Sequence, residues 1–281
     1  MYKFEIAKNF TTIEGVNIYI ITIGSDESKM EYLKKSADIK LLNINYLVVS
    51  WNGFIDKIIH MLHFIKDIPN DDIICFIDAY DIIVSDTVHN IYKKFINTKC
   101  NILFSSELVC FPYINFDKYT KIFNDNIETN FKYLNSGGYI GYKENIYNML
   151  SSKSISDIRE LCNIGGDQNF FTQYYLINYN NSKINIKLDY KQSIFQSMCC
   201  VNFNDFEFHN GYLYNKYLDT YPSFIHFNGF GDNDIKMAIN ITNNKLINII
   251  EESLERLIIS SNGDVINLPY EQFDKKYIKQ K

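Results

Sequence analysis

Asp78 and Asp81 are the residues whose type and spacing first point to chemistry. They follow at once on Ile73-Ile74-Cys75-Phe76-Ile77, an unbroken apolar run rich in β-branched and aromatic residues. Such a run reads as a strand buried on both faces. In an open α/β sheet the ligand crevice lies beyond the carboxyl ends of the strands, which is where the two acids fall. Two carboxylates at the mouth of an apolar strand repel each other and resist desolvation. A hard divalent cation, Mg²⁺ or Mn²⁺, would relieve both problems and would point to a phosphate-bearing substrate. Asp-x-x-Asp is also an ordinary turn, and Ser85-Asp86 can cap a helix beginning near Thr87, so the pair taken alone favours structure over metal.

Corroboration has to come from elsewhere in the chain. His226 ends the strand-like stretch Ser223-Phe224-Ile225-His226-Phe227-Asn228-Gly229. A lone His beside apolar residues is more often a satisfied core histidine than a ligand, but the acid pair lacks a third ligand and His226 can supply it. Asp167 and Gln168 follow Gly165-Gly166 and open an aromatic helix from Gln168 to Leu176, where Asp167 reads equally as a helix N-cap. Lys57 stands at the start of a helical pattern from Asp56 to Ile65, near enough to meet a phosphate or free to lie on the surface. Trp51, the only Trp, closes a predicted strand from Leu41 to Ser50; its ring can stack on a base or sugar, or pack at the rim of the core.

The elements that must position these residues alternate. A strand at Val16 to Ile23 runs into Gly24-Ser25-Asp26 and a helical segment from Glu27 to Ala37, the way a nucleotide-binding half begins, although GxGxxG is missing and a plain β-to-α turn is the favoured reading. After the acids come a helix from Val88 to Phe95 and a strand from Asn101 to Ser105 that ends in Ser106-Glu107. Alternation to this point predicts an α/β fold with a parallel, doubly wound sheet. The pattern then changes. Cys110 to Lys132 is aromatic and irregular, a loop or flap over the site, and Asn135 to Tyr142 sets three glycines in a β-rich stretch, which predicts a bulge or a close backbone approach to a ligand. Ile184 to Leu188 reads as a strand, Asn243 to Ile259 as an amphipathic helix, and the tail to Lys281 as peripheral. The aromatic segment from Tyr212 to Tyr221 is either a dimer surface or packed loops, with packed loops favoured.

Composition narrows the classes. With 281 residues, 46% of them hydrophobic, the chain can bury one sizeable core, and its 4 Pro and 12 Gly form no linker. A net charge of −5 without a Lys/Arg stripe argues against nucleic acid and against an electrostatic membrane anchor, so a phosphate would be held chiefly by metal and backbone. The 6 Cys lack CxxC spacing and sit mostly among apolar residues, which predicts free thiols in a reducing compartment and no zinc site. Met1-Tyr2-Lys3-Phe4-Glu5 opens no signal-peptide core and no stretch approaches a membrane span, so the expected location is cytoplasmic, in a host cell if the chain is viral.

The order of these pieces resembles the glycosyltransferase domain of the multifunctional procollagen lysyl hydroxylases, of the GT-A class. The blocks that carry it are Phe76-Ile77-Asp78-Ala79-Tyr80-Asp81, Leu103 to Glu107 with Cys110-Phe111-Pro112, Leu134 to Gly141, Asp167 to Thr172, Leu188-Asp189-Tyr190 to Ile194-Phe195-Gln196, and Ile225 to Gly229. They span roughly residues 16 to 231 in order. The resemblance implies a Rossmann-like, mostly parallel twisted sheet flanked by helices, with residues 1–15 as an N-terminal extension, 16–240 as the GT-A domain and 241–281 as a C-terminal helix and tail.

In function the resemblance implies a Mn²⁺-dependent transferase, with Mg²⁺ as the other candidate. It would move glucose from UDP-glucose to galactosylhydroxylysine of collagen or a collagen-like protein, with retention at the anomeric carbon. Carried over by position, Asp78, Asp81 and His226 hold the metal. Tyr80 and Trp51 flank uracil and ribose or wall the donor pocket, Ser25 and Lys57 touch the nucleotide or its phosphates, and Asn228 and Gly229 make contacts beside the metal. Asn135 and Glu107 line the donor-sugar side, and Asp167 and Gln168 form the catalytic pair that orients donor sugar and acceptor hydroxyl.

The chain departs from the family in having Gly165-Gly166 where acids usually precede Asp167, Phe230-Gly231-Asp232-Asn233 where a Lys usually follows, and Phe111 where a Trp is common. No iron/2-oxoglutarate domain follows, so lysyl hydroxylation is not expected. Two rivals stand beside this reading. One is transfer of galactose from UDP-galactose to bare hydroxylysine. The other is a non-catalytic module that binds a nucleotide sugar or collagen.

Overall fold

The computed structural model describes residues 8–123, 129–209 and 212–229. In chain order the elements are β1 (Thr11–Ile13), β2 (Val16–Gly24), α1 (Glu31–Ile39), β3 (Ile44–Val48), α2 (Ile55–Ile65), β4 (Ile73–Ile77), β5 (Ile82–Val84), α3 (Val88–Thr98) and β6 (Ile102–Glu107). Then come α4 (Phe116–Ile122), β7 (Tyr133–Tyr142), α5 (Lys143–Leu150), α6 (Ile155–Asn178), β8 (Ile186–Leu188), β9 (Phe195–Ser197), β10 (Phe206–His209), β11 (Tyr212–Asn215) and β12 (Phe224–His226). The helix expected from Asn243 to Ile259 and the departure at Phe230 to Asn233 lie outside the described residues.

The sheet that organises the chain has seven strands in the order β1-β2-β4-β7-β6-β8, with β3 also paired to β2. All five residues of β4 are buried, as an unbroken apolar run requires when both faces are covered. Alternation along the central strands divides the core. Ile21 and Phe76 face α2, α5 and α6 through Ile58, Met149 and Phe171. Ile20 and Cys75 face α1 and α3 through Leu33 and Phe95. Each fully buried side chain of this size is worth about 1.5–3 kcal/mol, so the positions of the strand ends are set by a large, two-sided apolar core.

The class is mixed α/β, and the parallel run expected from the alternation is broken at one strand. The pairs β2–β3, β2–β4 and β6–β8 are parallel, but β7 runs antiparallel to both β4 and β6 and separates them. An apolar strand buried on both faces reads alike in either direction, so composition carries no sign of the reversal. A second sheet, β5-β12-β9, is built from three-residue strands. Thr11–Ile13, within the expected extension, adds an antiparallel edge strand to β2.

Two local irregularities shape the site. Between Phe104 and Ser105 the β6–β7 register jumps from Tyr139 to Asn135, a bulge that places Ser136-Gly137-Gly138 out of the ladder where the glycines predicted it. The helix expected from Gln168 forms the second half of α6; the first half starts at Ile155, capped by the Ser154 side chain on the Asp157 N–H, and the two are divided by non-helical Gly165 (φ −164°, ψ 38°) and Gly166 (φ 65°, ψ −170°). Gly166 supplies a left-handed φ that few other residues adopt without strain. Pro112 packs so closely on Gly165 that a Cβ there would lie 2.5 Å from its Cγ. Asp167 therefore enters the second half of α6 from a fixed kink. Part of the segment expected as an irregular flap, Phe116–Ile122, is helical.

Candidate metal centre and active site

Asp78 and Asp81 lie on the connection from β4 to β5, and β12 brings His226 to them. Its register with Ile82 of β5 and Ser197 of β9 fixes the histidine beside the residue that precedes β5, and the Phe227 N–H closes the approach on the Asp81 carbonyl at 2.8 Å. His226 Nε2 stands 3.1 Å from Asp81 Oδ2 and 3.8 Å from Asp78 Oδ2. One ligand atom from each of the three lies within 4.8 Å of the others. The imidazole is oriented from behind. Asn135 Oδ1 accepts from the Gly137 N–H at 3.0 Å and lies 3.1 Å from His226 Nδ1. An Nδ1–H held by that oxygen leaves Nε2 aimed at the acids, the arrangement a metal-ligating histidine needs. Gly137 makes room for the ring, since a Cβ at that position would fall 2.0 Å from His226 Cε1.

Electrostatics agree with a cation site. Burial pushes the Asp81 carboxyl up, but His226 and then Lys57 more than offset it and hold it below its usual range. Burial would lower His226, but Asp81 above all, then Asp78 and Glu107, hold it above its ordinary value. Two carboxylate oxygens and one imidazole are donors that Mn²⁺ accepts, as other divalent transition metals do, and that suit Mg²⁺ less well because of the nitrogen. The residues present fit the expected ion.

Lys57, on the first turn of α2, is largely enclosed and not on the surface. Its ammonium is paired with Asp78 Oδ1 and lies 3.8 Å from Asp167 Oδ2, with only 13% of the side chain exposed. Asp167 is buried. Its Oδ1 accepts from Ser136 Oγ at 3.4 Å, while Oδ2 has no hydrogen-bond partner. Burial, partly opposed by Lys57 and reinforced by Asp78, pushes its carboxyl up to about 6.

Several expected site residues are hydrogen-bonded within the protein. Gln168, expected to act beside Asp167, is a brace: Nε2 donates to Glu107 Oε1 at 2.7 Å and to the Phe111 carbonyl at 2.9 Å, and Oε1 accepts from the Ser136 N–H at 3.2 Å. Both amide hydrogens are engaged inside the protein. Glu107 is buried under it and also accepts from Asn228 Nδ2 at 2.8 Å; burial raises its carboxyl despite these donors. Asn228, expected beside the ligand, is tied to Glu107, to Ser197 Oγ at 2.8 Å and to the Cys199 N–H at 3.4 Å. Gly229 takes φ 78°, and a Cβ there would meet Cys199 Sγ at 2.9 Å. Asn135, expected along the donor sugar, stands behind His226.

The nucleotide-side residues gather around the end of β2. Tyr80 Oη accepts from the Ser25 N–H at 2.6 Å and the Asp26 N–H at 2.9 Å, and lies 3.2 Å from Ser25 Oγ. Trp51 is 39% exposed and meets Phe54 edge-on at 5.6 Å. Phe54, half exposed, lies over Gly166 and 5.8 Å from Lys57 Nζ. Sequence reasoning passed over Phe54 and Ser136. Phe54 sits three residues after the only Trp, the one signal that was available for it.

Among the described residues all six cysteines are free, four of them buried, and no helix is long and apolar enough to cross a membrane.

Comparison with known proteins now bears on this geometry. A model of the PLOD GT domain matches residues 20–255. Uncharacterized protein R699 of Acanthamoeba polyphaga mimivirus is 30% identical over 229 residues, which is 76% of this chain and 46% of that protein. The human multifunctional procollagen lysine hydroxylase and glycosyltransferase LH3 is 29% identical over 182 residues, 63% of this chain and 23% of LH3. The chain thus spans less than half the length of these relatives. A solved structure, a glycosyltransferase involved in the glycosylation of the major capsid of PBCV-1, shares 11% identity and a TM-score of 0.43 over 78% of this chain and 98% of its own, a likeness too slight to argue from. With a family match that runs across both β4 and β12, the chain belongs to the PLOD GT domain family of glycosyltransferases.

Proposed function

We propose that this chain transfers glucose from UDP-glucose to galactosylhydroxylysine of a collagen-like acceptor, with retention at the anomeric carbon. The observation that carries the reading is the convergence of Asp78, Asp81 and His226 at the carboxyl end of β4 in a chain of this family. The names of relatives such as LH3 support a collagenous acceptor. The choice of glucose rests on the resemblance.

Asp78, Asp81 and His226 would hold Mn²⁺. When bound, the ion supplies positive charge to a diphosphate leaving group. The chain's own residues do the positioning. Tyr80 ties down the Ser25-Asp26 loop at the end of β2, where a nucleotide sits in folds of this class. Trp51 and Phe54 offer ring faces to a base or sugar. In this reading Asp167 and Gln168 orient the donor sugar and the acceptor hydroxyl. In a retaining transfer without a covalent intermediate, the departing phosphate oxygen takes the acceptor proton, so no separate base is required.

A UDP-release assay with UDP-glucose or UDP-galactose, on peptides bearing galactosylhydroxylysine or bare hydroxylysine, tests the reading. The expected result is Mn²⁺-dependent release with UDP-glucose and the galactosylated peptide, abolished by Asp78→Ala and by Asp81→Ala. Release only with UDP-galactose on bare hydroxylysine would replace glucose with galactose, and binding without release would make the chain a non-catalytic module.

A further inference from the structure

We propose that Lys57 is the protein's own counter-ion for the metal-free site, and that arrival of a divalent ion transfers its ammonium from Asp78 to Asp167. The inference rests on the metal site proposed above and adds a coupling that the site alone does not contain.

Three observations carry it. First, Lys57 cannot retreat to water. Its ammonium lies 5.8 Å from the Phe54 ring centroid and 5.7 Å from that of Phe76, and the side chain is largely enclosed. Second, one carboxylate faces both cations. Asp78 gives Oδ1 to Lys57 and turns Oδ2 toward His226 at 3.8 Å, in the set of atoms that would take the metal. A divalent ion on that carboxylate repels an ammonium paired with the same group. Third, an alternative partner is already in place. Asp167 Oδ2 is buried, has no hydrogen-bond partner and lies 3.8 Å from Lys57 Nζ. A buried acceptor left unpaired is costly, and a shift of about 1 Å by the ammonium would satisfy it at ordinary hydrogen-bond distance.

The consequence is a reciprocal coupling. Metal at Asp78 sends Lys57 to Asp167 and gives that carboxylate a second partner beside Ser136 Oγ. Lys57 thus acts as a positioning residue, and it competes with the metal it prepares the site for.

Mn²⁺ alone, titrated into the intact chain and followed by electron paramagnetic resonance of the free ion, tests this without any turnover. Lys57→Met should bind Mn²⁺ about tenfold or more tightly than wild type. Lys57→Arg, which keeps the charge, should stay close to wild type. Asp167→Asn should weaken binding, and by a smaller factor when Lys57 is already Met, because much of its effect passes through Lys57. Lys57→Gln serves if the Met variant does not fold, and the rise in melting temperature on adding Mn²⁺ should then exceed that of wild type. Mn²⁺ binding that Lys57→Met and Lys57→Gln leave unchanged or weaken overturns this inference alone. No Mn²⁺ binding by wild type, or binding indifferent to Asp78→Ala, overturns the metal site and the inference with it.

Discussion

His226 Nε2 lies 3.1 Å from Asp81 Oδ2 although 145 residues separate them in the chain. The contact is made by backbone pairing: β12 lies antiparallel to β5, with His226 opposite Ile82, the residue after Asp81. The site is therefore as rigid as the small sheet that builds it, and its behaviour on substitution follows from the residues behind the ligands.

Asn135 is the first of these. Its Oδ1 holds the imidazole by Nδ1 at 3.1 Å. Asn135→Ala should leave the fold intact and weaken Mn²⁺ binding by about 10–100-fold, the usual effect of losing the partner that orients a ligand. Calorimetric titration with Mn²⁺ reads the change, and unaltered affinity would assign the orientation of His226 to Gly137 and the sheet.

Gly137→Ala attacks the same ring from the side. The new methyl would stand 2.0 Å from His226 Cε1 and 2.9 Å from Asp78 Oδ2, so the imidazole must move. Overpacking of this kind costs about 1–3 kcal/mol. Urea denaturation should show that loss, together with a loss of metal-induced stabilisation that a mere packing defect would not produce.

How much of this was legible in the sequence depends on what each residue's neighbours encode locally. The Ile73–Ile77 strand could be read directly because both its faces are apolar, and with it the placing of Asp78 and Asp81 at its end. The bulge at Ser136-Gly137-Gly138 was legible from its glycines. Strand direction was not, so nothing in the sequence showed that β7 enters antiparallel between β4 and β6. The pairing of β5, β12 and β9 was hidden for another reason: the stretch ending in His226 reads as a strand, but runs of three residues carry too little pattern to show which strands they join. The contacts of Gln168 were not legible, because its type fits a catalytic amide as well as a brace and only the three-dimensional positions of Glu107, Phe111 and Ser136 show what it touches.

The role of Gln168 is itself testable. Gln168→Met keeps the bulk but removes both donors from Glu107 Oε1 and the Phe111 carbonyl. Leaving buried acceptors unpaired costs about 1–3 kcal/mol. Thermal melting should fall accordingly, and any loss of transfer rate should accompany it; a large rate loss at unchanged stability would return Gln168 to a direct role with substrate.

A second buried ion pair supports β12 from the far side. Lys94 Nζ meets Asp86 Oδ2 at 2.6 Å, the Tyr221 carbonyl at 2.5 Å and Ser223 Oγ at 2.9 Å. Burial pushes the Asp86 carboxyl up, but Lys94 overcomes this and holds it below its ordinary value. A carboxyl lowered by folding stabilises the protein above its unfolded pKa of about 3.9, and that stability is lost as pH falls through the lower folded value. Lys94→Met should cost about 3–5 kcal/mol at pH 7, because it strands a buried carboxylate. The gap between wild type and variant, read by urea denaturation, should narrow below about pH 4, where protonation relieves the variant and removes the pair from wild type. A gap constant across that range would mean that Lys94 acts by packing and not by charge.

The most direct measurement of the central claim is anomalous scattering at the manganese edge from a crystal grown with Mn²⁺ and UDP. The account predicts one peak within bonding distance of Asp78, Asp81 and His226 Nε2, beside the diphosphate. A peak bonded elsewhere, or none at these three side chains while UDP is bound, would contradict it.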